Sequence, residues 1–427
     1  MQEGEEVNLF LIFIFLVLLI LSVIIHSDYL NPFKLFVISW SVQVVMCLLL
    51  FGNSVYWSYG GLEYIFAISL IFFLLSFKYK SKFKKFVVKK QEFLVNRKKK
   101  NVALIILIFF GIVYSITLIQ NYGLSLKNFT SLDLLLQMNN YMAIQRYTGN
   151  VSTSLLNRVL LIFVYAAPMC GGYSYIYSKK RIDKVISLLT LLPVLFILLI
   201  ENTKAPVIAC VIFFLIAMFT AYLVKNEAVP KINFKKMSKW LALFFIIFSL
   251  LFVSMMFRIG KFDISTFEIV KVKIGNYIFG HIPAFDHWFS SNCNDLPYSF
   301  GIQTFISIFD TLGIQNRIQG VYAESYVGGA LGSNVYTYLR GLISDFGIIG
   351  SLLFLISFLG ITNYNYQRIK AGSKKIISQI VIMVNYSFIL FFFVSIFSYT
   401  SFVIAFVIYG IFLRFIREKE DKVEKSN

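Results

Sequence analysis

The chain has 427 residues, 58% hydrophobic and only 14% charged, with a mean hydropathy of +0.75. A water-soluble domain carries about 25% charged residues, so the composition excludes an ordinary soluble enzyme. The formal net charge of +19 would suggest nucleic acid, but its placement marks membrane topology instead.

A bilayer needs about 20 apolar residues per helix. Apolar runs of that length predict about eleven transmembrane helices (range 10–12), near 7–25, 33–51, 62–78, 101–119, 156–177, 185–200, 206–223, 240–257, 341–360, 377–396 and 402–416. The fold class expected is therefore an all-α polytopic membrane protein. Residues 1–257 hold eight spans, 258–340 form one long loop, 341–416 hold three more spans and 417–427 form a tail. The leading segment Met1–Asn8 is acidic without Lys or Arg and no small-residue cleavage site follows, so the first run reads as a retained span.

Segment 78–100 carries eleven Lys and Arg, which fixes it as cytoplasmic by the positive-inside rule. Alternation then puts 177–184, 225–239, 361–376 and the tail on the same side, and each is basic. The N-terminus is expected outside and the C-terminus inside. Basic tracts such as Lys78–Lys85 suit anionic lipid head groups. Cys47, Cys170, Cys210 and Cys293 are scattered and form neither a disulfide framework nor a metal knot.

Two outward segments exceed a connector. One runs from Gln120 to Leu155; the other, Arg258 to Arg340, is 83 residues long against about 2–8 for ordinary helix–helix connections. The longer is rich in aromatics, including Phe279, Phe285, Trp288, Phe289, Phe305 and Tyr336, which argues for order. Stretches such as Gln303–Asp310 suit short amphipathic helices on the outer membrane face. No Walker-type Gly-x-x-x-x-Gly-Lys, Gly-x-Gly-x-x-Gly or His-Glu-x-x-His motif occurs, and the outward segments lack an Asp-x-Asp pair for a divalent ion. No cofactor or metal is expected. A diphosphate handled outside would then be neutralised by cationic side chains.

Five outward cations occupy informative positions. Lys204 lies in the short turn Glu201–Pro206, Arg258 follows the span ending at Phe257, and Arg340 stands where the next span begins; Arg146 and Arg158 belong to the smaller outer segment. Arg at a helix end often snorkels to the interface. Three such cations at the mouths of different spans, against the positive-inside bias, suit a phosphate-bearing lipid. Asp345 puts a carboxylate inside an apolar span, where a charge costs on the order of 2.5–3.5 kcal/mol at the bilayer centre and less at this depth. It reads either as a salt-bridge partner of an outer Arg or as a functional group. His281 and Asp286, in Phe279-Gly-His-Ile-Pro-Ala-Phe-Asp286, are proton-acceptor candidates beside Asp345, and sequence alone leaves all three open. Tyr336 and other loop aromatics suit sugar stacking or interface anchoring.

The order of these pieces resembles a known family. An outer turn with a cation precedes an Arg after a later span and the long outer segment with Phe279–Asp286. Gly301-Ile-Gln-Thr-Phe305 and Asn334-Val-Tyr-Thr…Asp345-Phe-Gly…Gly350 follow. This is similar to the bacterial oligosaccharide repeat-unit polymerases, the O-antigen polymerase (Wzy) family. The resemblance covers the topology along most of the chain, with motifs confined to 200–210 and 255–350. It implies a metal-independent glycosyltransferase of the lipid-donor (GT-C-like) type, in the bacterial inner membrane. Such an enzyme moves a growing glycan from undecaprenyl diphosphate onto the next lipid-linked unit at the outer face. By the same resemblance, donor and acceptor are the partners, membrane lipid surrounds the enzyme, and a chain-length regulator protein accompanies it; nucleic acid is not a partner. Arg258 and Arg340 would bind diphosphate, with Lys204, Asn334, Tyr336 and Arg146 as further substrate-binding residues. Asp345 would orient an Arg or assist the acceptor. Lys204 stands where relatives often show Arg, a departure, because Lys lacks the bidentate fork. Leu- and Phe-rich grooves would hold the polyprenyl tails.

Other readings differ in acceptor or class. A ligase would use the same donor with another acceptor. A flippase would place ionisable residues within several spans around a central cavity, whereas here polarity is concentrated in one outer loop.

Overall fold

The computed structural model describes the chain apart from residue 1 and residues 26–27, 79–92, 125–129, 148–153, 231–237, 239–244, 246–248, 257–258, 260–262, 293–296, 317–324, 327–331 and 419–427. It is overwhelmingly helical. Eight helices among the described residues are long and apolar enough to cross a membrane: Glu5–Ile24, Pro32–Phe51, Gly60–Phe77, Arg97–Asn121, Leu155–Tyr177, Arg181–Glu201, Ala205–Asn226 and Tyr338–Lys370. Two shorter apolar helices, Ile376–Leu390 and Thr400–Ile416, close the chain. The protein is thus an all-α, membrane-embedded one, as its composition leads one to expect.

Ten of the eleven expected apolar runs are helical, with three differences of detail. The run at 185–200 is two helices, Arg181–Leu189 and Leu192–Glu201, parted at Thr190 and Leu191 ahead of Pro193. Pro fits the first turn of the second helix, where its missing N–H has no partner to lose. The run at 377–396 stops at Leu390, and a short 3₁₀ turn, Ile396–Ser398, precedes the last helix. There the Ser395 hydroxyl accepts from the Phe397 amide (3.2 Å) and Ser307 Oγ donates to the Phe397 carbonyl (2.6 Å). Serine side chains that bond nearby backbone compete with helix continuation. The run at 240–257 lies mostly outside the described residues, though 249–256 is helical.

The chain divides into two compact units. The first comprises Met1–Lys89, Val272–Ser373 and Val384–Thr400. Its helices Gln2–Ile24, Pro32–Phe51 and Gly60–Lys78 pack through aromatic edges, Phe15 on Phe66 (5.5 Å) and Phe36 on Phe72 (4.8 Å). Edge-to-face pairs of this kind add to plain area burial. Trp40 is fully buried and donates its indole N–H to the Tyr338 hydroxyl (3.1 Å), joining Pro32–Phe51 to Tyr338–Lys370. Asn31 caps the second helix by accepting from the Phe33 amide (3.0 Å), with Pro32 in the first turn.

The second unit comprises Lys90–Lys271, Lys374–Met383 and Ser401–Asn427. Leu155–Tyr177 and Ala205–Asn226 form its tightest pair, and a Cβ added at Gly172 would collide with the Phe214 backbone. Small residues at a membrane helix crossing let backbones approach in this way. Arg97 clamps the buried Asp183 with two bonds (2.7 and 3.0 Å), and Asn101 adds a third (2.8 Å).

The long segment 258–340 is ordered over most of its described length, as its aromatic content suggests. It carries helices Ile264–Phe279, His281–Asn292 and Ile306–Thr311 and a two-residue ladder pairing Ser325 with Ser333.

Candidate functional site

Most of the candidate residues fall in the first unit, on two elements. One is the helix His281–Asn292; the other is the stretch running from Asn334 into the helix Tyr338–Lys370.

Asp286 is 1% exposed and both its oxygens are engaged. The amides of Ser58 (2.8 Å) and Tyr59 (2.9 Å) donate to Oδ2, and those of Gly61 (2.9 Å) and Leu62 (3.2 Å) donate to Oδ1. These are the orphan donors at the start of Gly60–Lys78, so the carboxylate caps that helix from a different one and meets its positive dipole end. A Cβ at Gly61 would lie 2.6 Å from Asp286 Cα, so the approach requires glycine there. Burial raises the Asp286 pKa, and the four amides pull it back down.

Asp345 makes a second clamp of the same kind and is fully buried. Its Oδ1 accepts from the Ser299 hydroxyl (2.5 Å) and the Gln303 amide (2.9 Å); its Oδ2 accepts from the Thr304 amide (2.7 Å). Two backbone bonds run alongside, Ser299 amide to Ser344 carbonyl and Phe300 amide to Asp345 carbonyl (both 3.1 Å). Both halves of the sequence motif, 301–305 and 334–350, therefore meet at this carboxylate. An intramembrane carboxylate is tolerable here because three donors replace its water.

Two residues on, Gly347 interrupts the helix with φ 70° and ψ −179°, a conformation open to glycine alone. The Tyr298 ring fills the space a side chain would take, 2.9 Å from an added Cβ. A cavity of about 470 Å³ opens beside this break, walled by Tyr298, Phe300, Phe346 and Phe354, with Asp345 and Ser357 as polar lining.

Arg340 is half-buried in the first turn of the same helix. Its guanidinium carbon lies 4.0 Å from the centroid of the Tyr336 ring and 5.0 Å from that of Trp288. Both rings are nearly buried, at 5% and 6% exposure. Cation–π contacts at such distances hold a planar cation by its face. Asn334, by contrast, is exposed.

His281 is 1% exposed, and neither ring nitrogen has a hydrogen-bond partner. Its imidazole packs against Phe393 (5.1 Å) and Phe392 (6.3 Å). Burial lowers its pKa to about 3, so it stays neutral at physiological pH. Both aspartates accept hydrogen bonds from backbone amides, Asp286 four and Asp345 two. The carboxylates hold backbone, and the imidazole is enclosed by rings.

The second unit holds Lys204, at 6% exposure. Its ammonium donates to the Asn202 carbonyl (2.9 Å) and to the Asn202 side chain. Asn202 is left-handed (φ 54°) and donates to Asn139 (2.9 Å) and to the Ser254 carbonyl (2.7 Å). The expectation of an outward-reaching Lys204 thus meets an inward one, drawn into a turn whose buried oxygens need donors. Arg158 is exposed; Arg146 lies on the helix Leu132–Tyr147, with its side chain outside the described residues, as is the whole of Arg258. Among the described residues no three His, Cys, Asp or Glu side chains gather as metal ligands.

Trp288 is the residue that sequence reading undervalued, counting it only among the loop aromatics. A pattern could have found it: Asp286 and Trp288 flank one turn, and Tyr336 and Arg340 are spaced four apart. No family model, curated protein or solved structure matches the chain.

Proposed function

We propose that this chain is a membrane-embedded glycosyltransferase that joins polyprenyl-diphosphate-linked oligosaccharide units into a surface polysaccharide. The observation that carries the reading is Arg340, a guanidinium set against two buried rings at the head of a membrane-length helix. Arginine is the side chain whose planar donors match paired phosphate oxygens, which suits a diphosphate at this helix head. The helices Ile264–Phe279, His281–Asn292 and Ile306–Thr311 and the aromatic cavity beside Gly347 support it further, the cavity having the apolar walls that a polyprenyl chain fits.

In this reading the site faces away from the cytoplasm across the bacterial inner membrane, because the basic loops lie on the other side. The acceptor hydroxyl oxygen bonds to the anomeric carbon as the bond to diphosphate breaks. The diphosphate leaves with the electron pair, and the hydroxyl proton passes to solvent. Glycosyl diphosphate already contains a good leaving group, so the protein's share is orientation of two substrates and stabilisation of the departing charge by Arg340. Asp286 and Asp345 serve as anchors of that site.

The test is polymerisation of purified lipid-linked repeat units, read as a ladder of chain lengths. Arg340→Ala is expected to leave single units and to lower the rate at least about 100-fold, as loss of a positioned charge-stabilising donor does. The ladder of the parent protein is expected to persist with a chelator present. Ordinary chain lengths in Arg340→Ala would overturn the reading.

A further inference from the structure

We propose that the helix Arg181–Leu189 of the second unit is a docking surface for an anionic glycerophospholipid. Lys180, Arg181 and Lys184 hold the head-group phosphate, and one acyl chain lies along Ile182, Val185 and Leu189. The inference goes beyond the polymerase reading and stands independently of it.

The inward side of this helix fixes which way it faces. Asp183, Ser187 and Thr190 fall at helical spacing and are buried. Arg97 and Asn101 donate to the Asp183 carboxylate. Ser187 Oγ donates to the Asp183 carbonyl (2.9 Å) and Thr190 Oγ1 to the Ser187 carbonyl (2.6 Å), so each polar side chain on this side has a partner. A Cβ added at Gly171 would lie 2.0 Å from Thr190 Oγ1, so the chain rests directly on the helix Leu155–Tyr177 there. The opposite side is apolar: Ile182, Val185, Leu188 and Leu189 are 42–58% exposed. Polar inward and apolar outward is the reverse of a helix on a water-soluble domain, and it fits a helix bounded by hydrocarbon.

Charge is sorted in the same way. Segment 179–184 holds four exposed cations, Lys179, Lys180, Arg181 and Lys184, and one carboxylate. That carboxylate, Asp183, is turned inward to Arg97, so the outer surface presents cations alone. Among the described residues none of the four forms an ion pair. The Lys184 ammonium stands 5.7 Å from the centroid of the Tyr175 ring, a contact that holds it at this surface. The cations therefore gather at the head of an apolar stripe that continues for about 10 Å, from Ile182 to Leu189, at the rise of an α-helix. An anionic phospholipid has the same order, phosphate first and hydrocarbon after. A soluble polyanion would leave the stripe uncovered, and a zwitterionic lipid brings no net charge to the cations.

The experiment uses the full chain in nanodiscs of equal phosphatidylcholine and phosphatidylglycerol, released for native mass spectrometry. The readout is the ratio of the two lipids in the species that keeps one lipid, and thermal unfolding in the same nanodiscs confirms that each variant is folded. The parent is expected to keep phosphatidylglycerol about ten-fold over phosphatidylcholine, and the triple variant Lys180→Gln, Arg181→Gln, Lys184→Gln about two-fold or less. A control triple that removes the same charge from exposed positions of the same unit, Lys98→Gln, Lys375→Gln, Arg414→Gln, is expected to stay within about two-fold of the parent. Val185→Ser with Leu189→Ser should lower the retained phosphatidylglycerol as well, because the chain loses its stripe. Should the first triple not fold, Lys180→Gln with Lys184→Gln takes its place. An equal loss in the two triples would assign the preference to net surface charge and overturn the site. A parent without preference would overturn it too. Displacement of the retained lipid by glycerol 3-phosphate, at ionic strength matched with chloride, would reveal a soluble-phosphate site and overturn the lipid assignment.

Discussion

Arg340 and Lys204 look alike in the sequence: each is a cation at the start of an apolar helix. The structure uses them in opposite ways. Arg340 is half-buried with its charged plane against two rings, whereas Lys204 is nearly enclosed and gives its protons to Asn202. The difference follows from what each finds within reach. Near Lys204 lie a left-handed, buried Asn202 and the Asn139–Ser254 network, whose oxygens need donors. Near Arg340 lie the faces of Tyr336 and Trp288, against which the planar cation packs. A charge in a sequence states a capacity; neighbouring acceptors decide whether it is spent on the fold.

Exchange of the two cations tests that contrast most strongly. Where Arg340→Ala is expected to abolish chain growth, Lys204→Met should leave the ladder of chain lengths in the folded fraction unchanged. A shortened ladder in Lys204→Met would erase the distinction. The anchoring of the Arg340 site gives the next largest effect. Asp286→Ala strands four backbone amides, two of them buried, and should lower stability by about 3–5 kcal/mol, read as a fall in unfolding temperature. Asp286→Asn, which keeps one acceptor oxygen, should cost less. Equal costs would mean that the carboxylate charge, rather than its acceptor geometry, holds the helix start.

The effect that is smallest per pH unit belongs to His281. Its folded pKa of about 3 lies below the ordinary value of 6.5. Between these values the unfolded chain holds a proton that the folded one does not, so stability falls as pH drops through that window. The slope is at most about 1.4 kcal/mol per pH unit. His281→Phe, which suits the surrounding Phe392 and Phe393, should flatten the acid side of a stability–pH profile in detergent. An unchanged slope would place the titration on other groups.

Much of the fold was legible because apolar runs of bilayer length have few alternative structures: Leu155–Tyr177 or Ala205–Asn226 could be little else. Asp345 and Arg340 stood out for the same reason, being charges in or beside such runs. What could not be read was the purpose of the carboxylates. The partners of Asp286 are backbone amides some 225 residues away, and amides carry no sequence signature. Asp345 was expected to meet an outer Arg or the chemistry; it meets Ser299, Gln303 and Thr304 instead. The 391–399 stretch was likewise hidden, since its Phe and Ile content suits a helix and only Ser395 argues against one.

Gly347 divides the helix Tyr338–Lys370 into a stub and a rod. The stub carries Arg340, and the segment 298–304 grips it at Asp345, immediately ahead of the break. The aim of the cation is thereby uncoupled from the tilt of the rod in the bilayer. Substitutions in the 298–304 segment can shift the stub while the rod beneath keeps its packing.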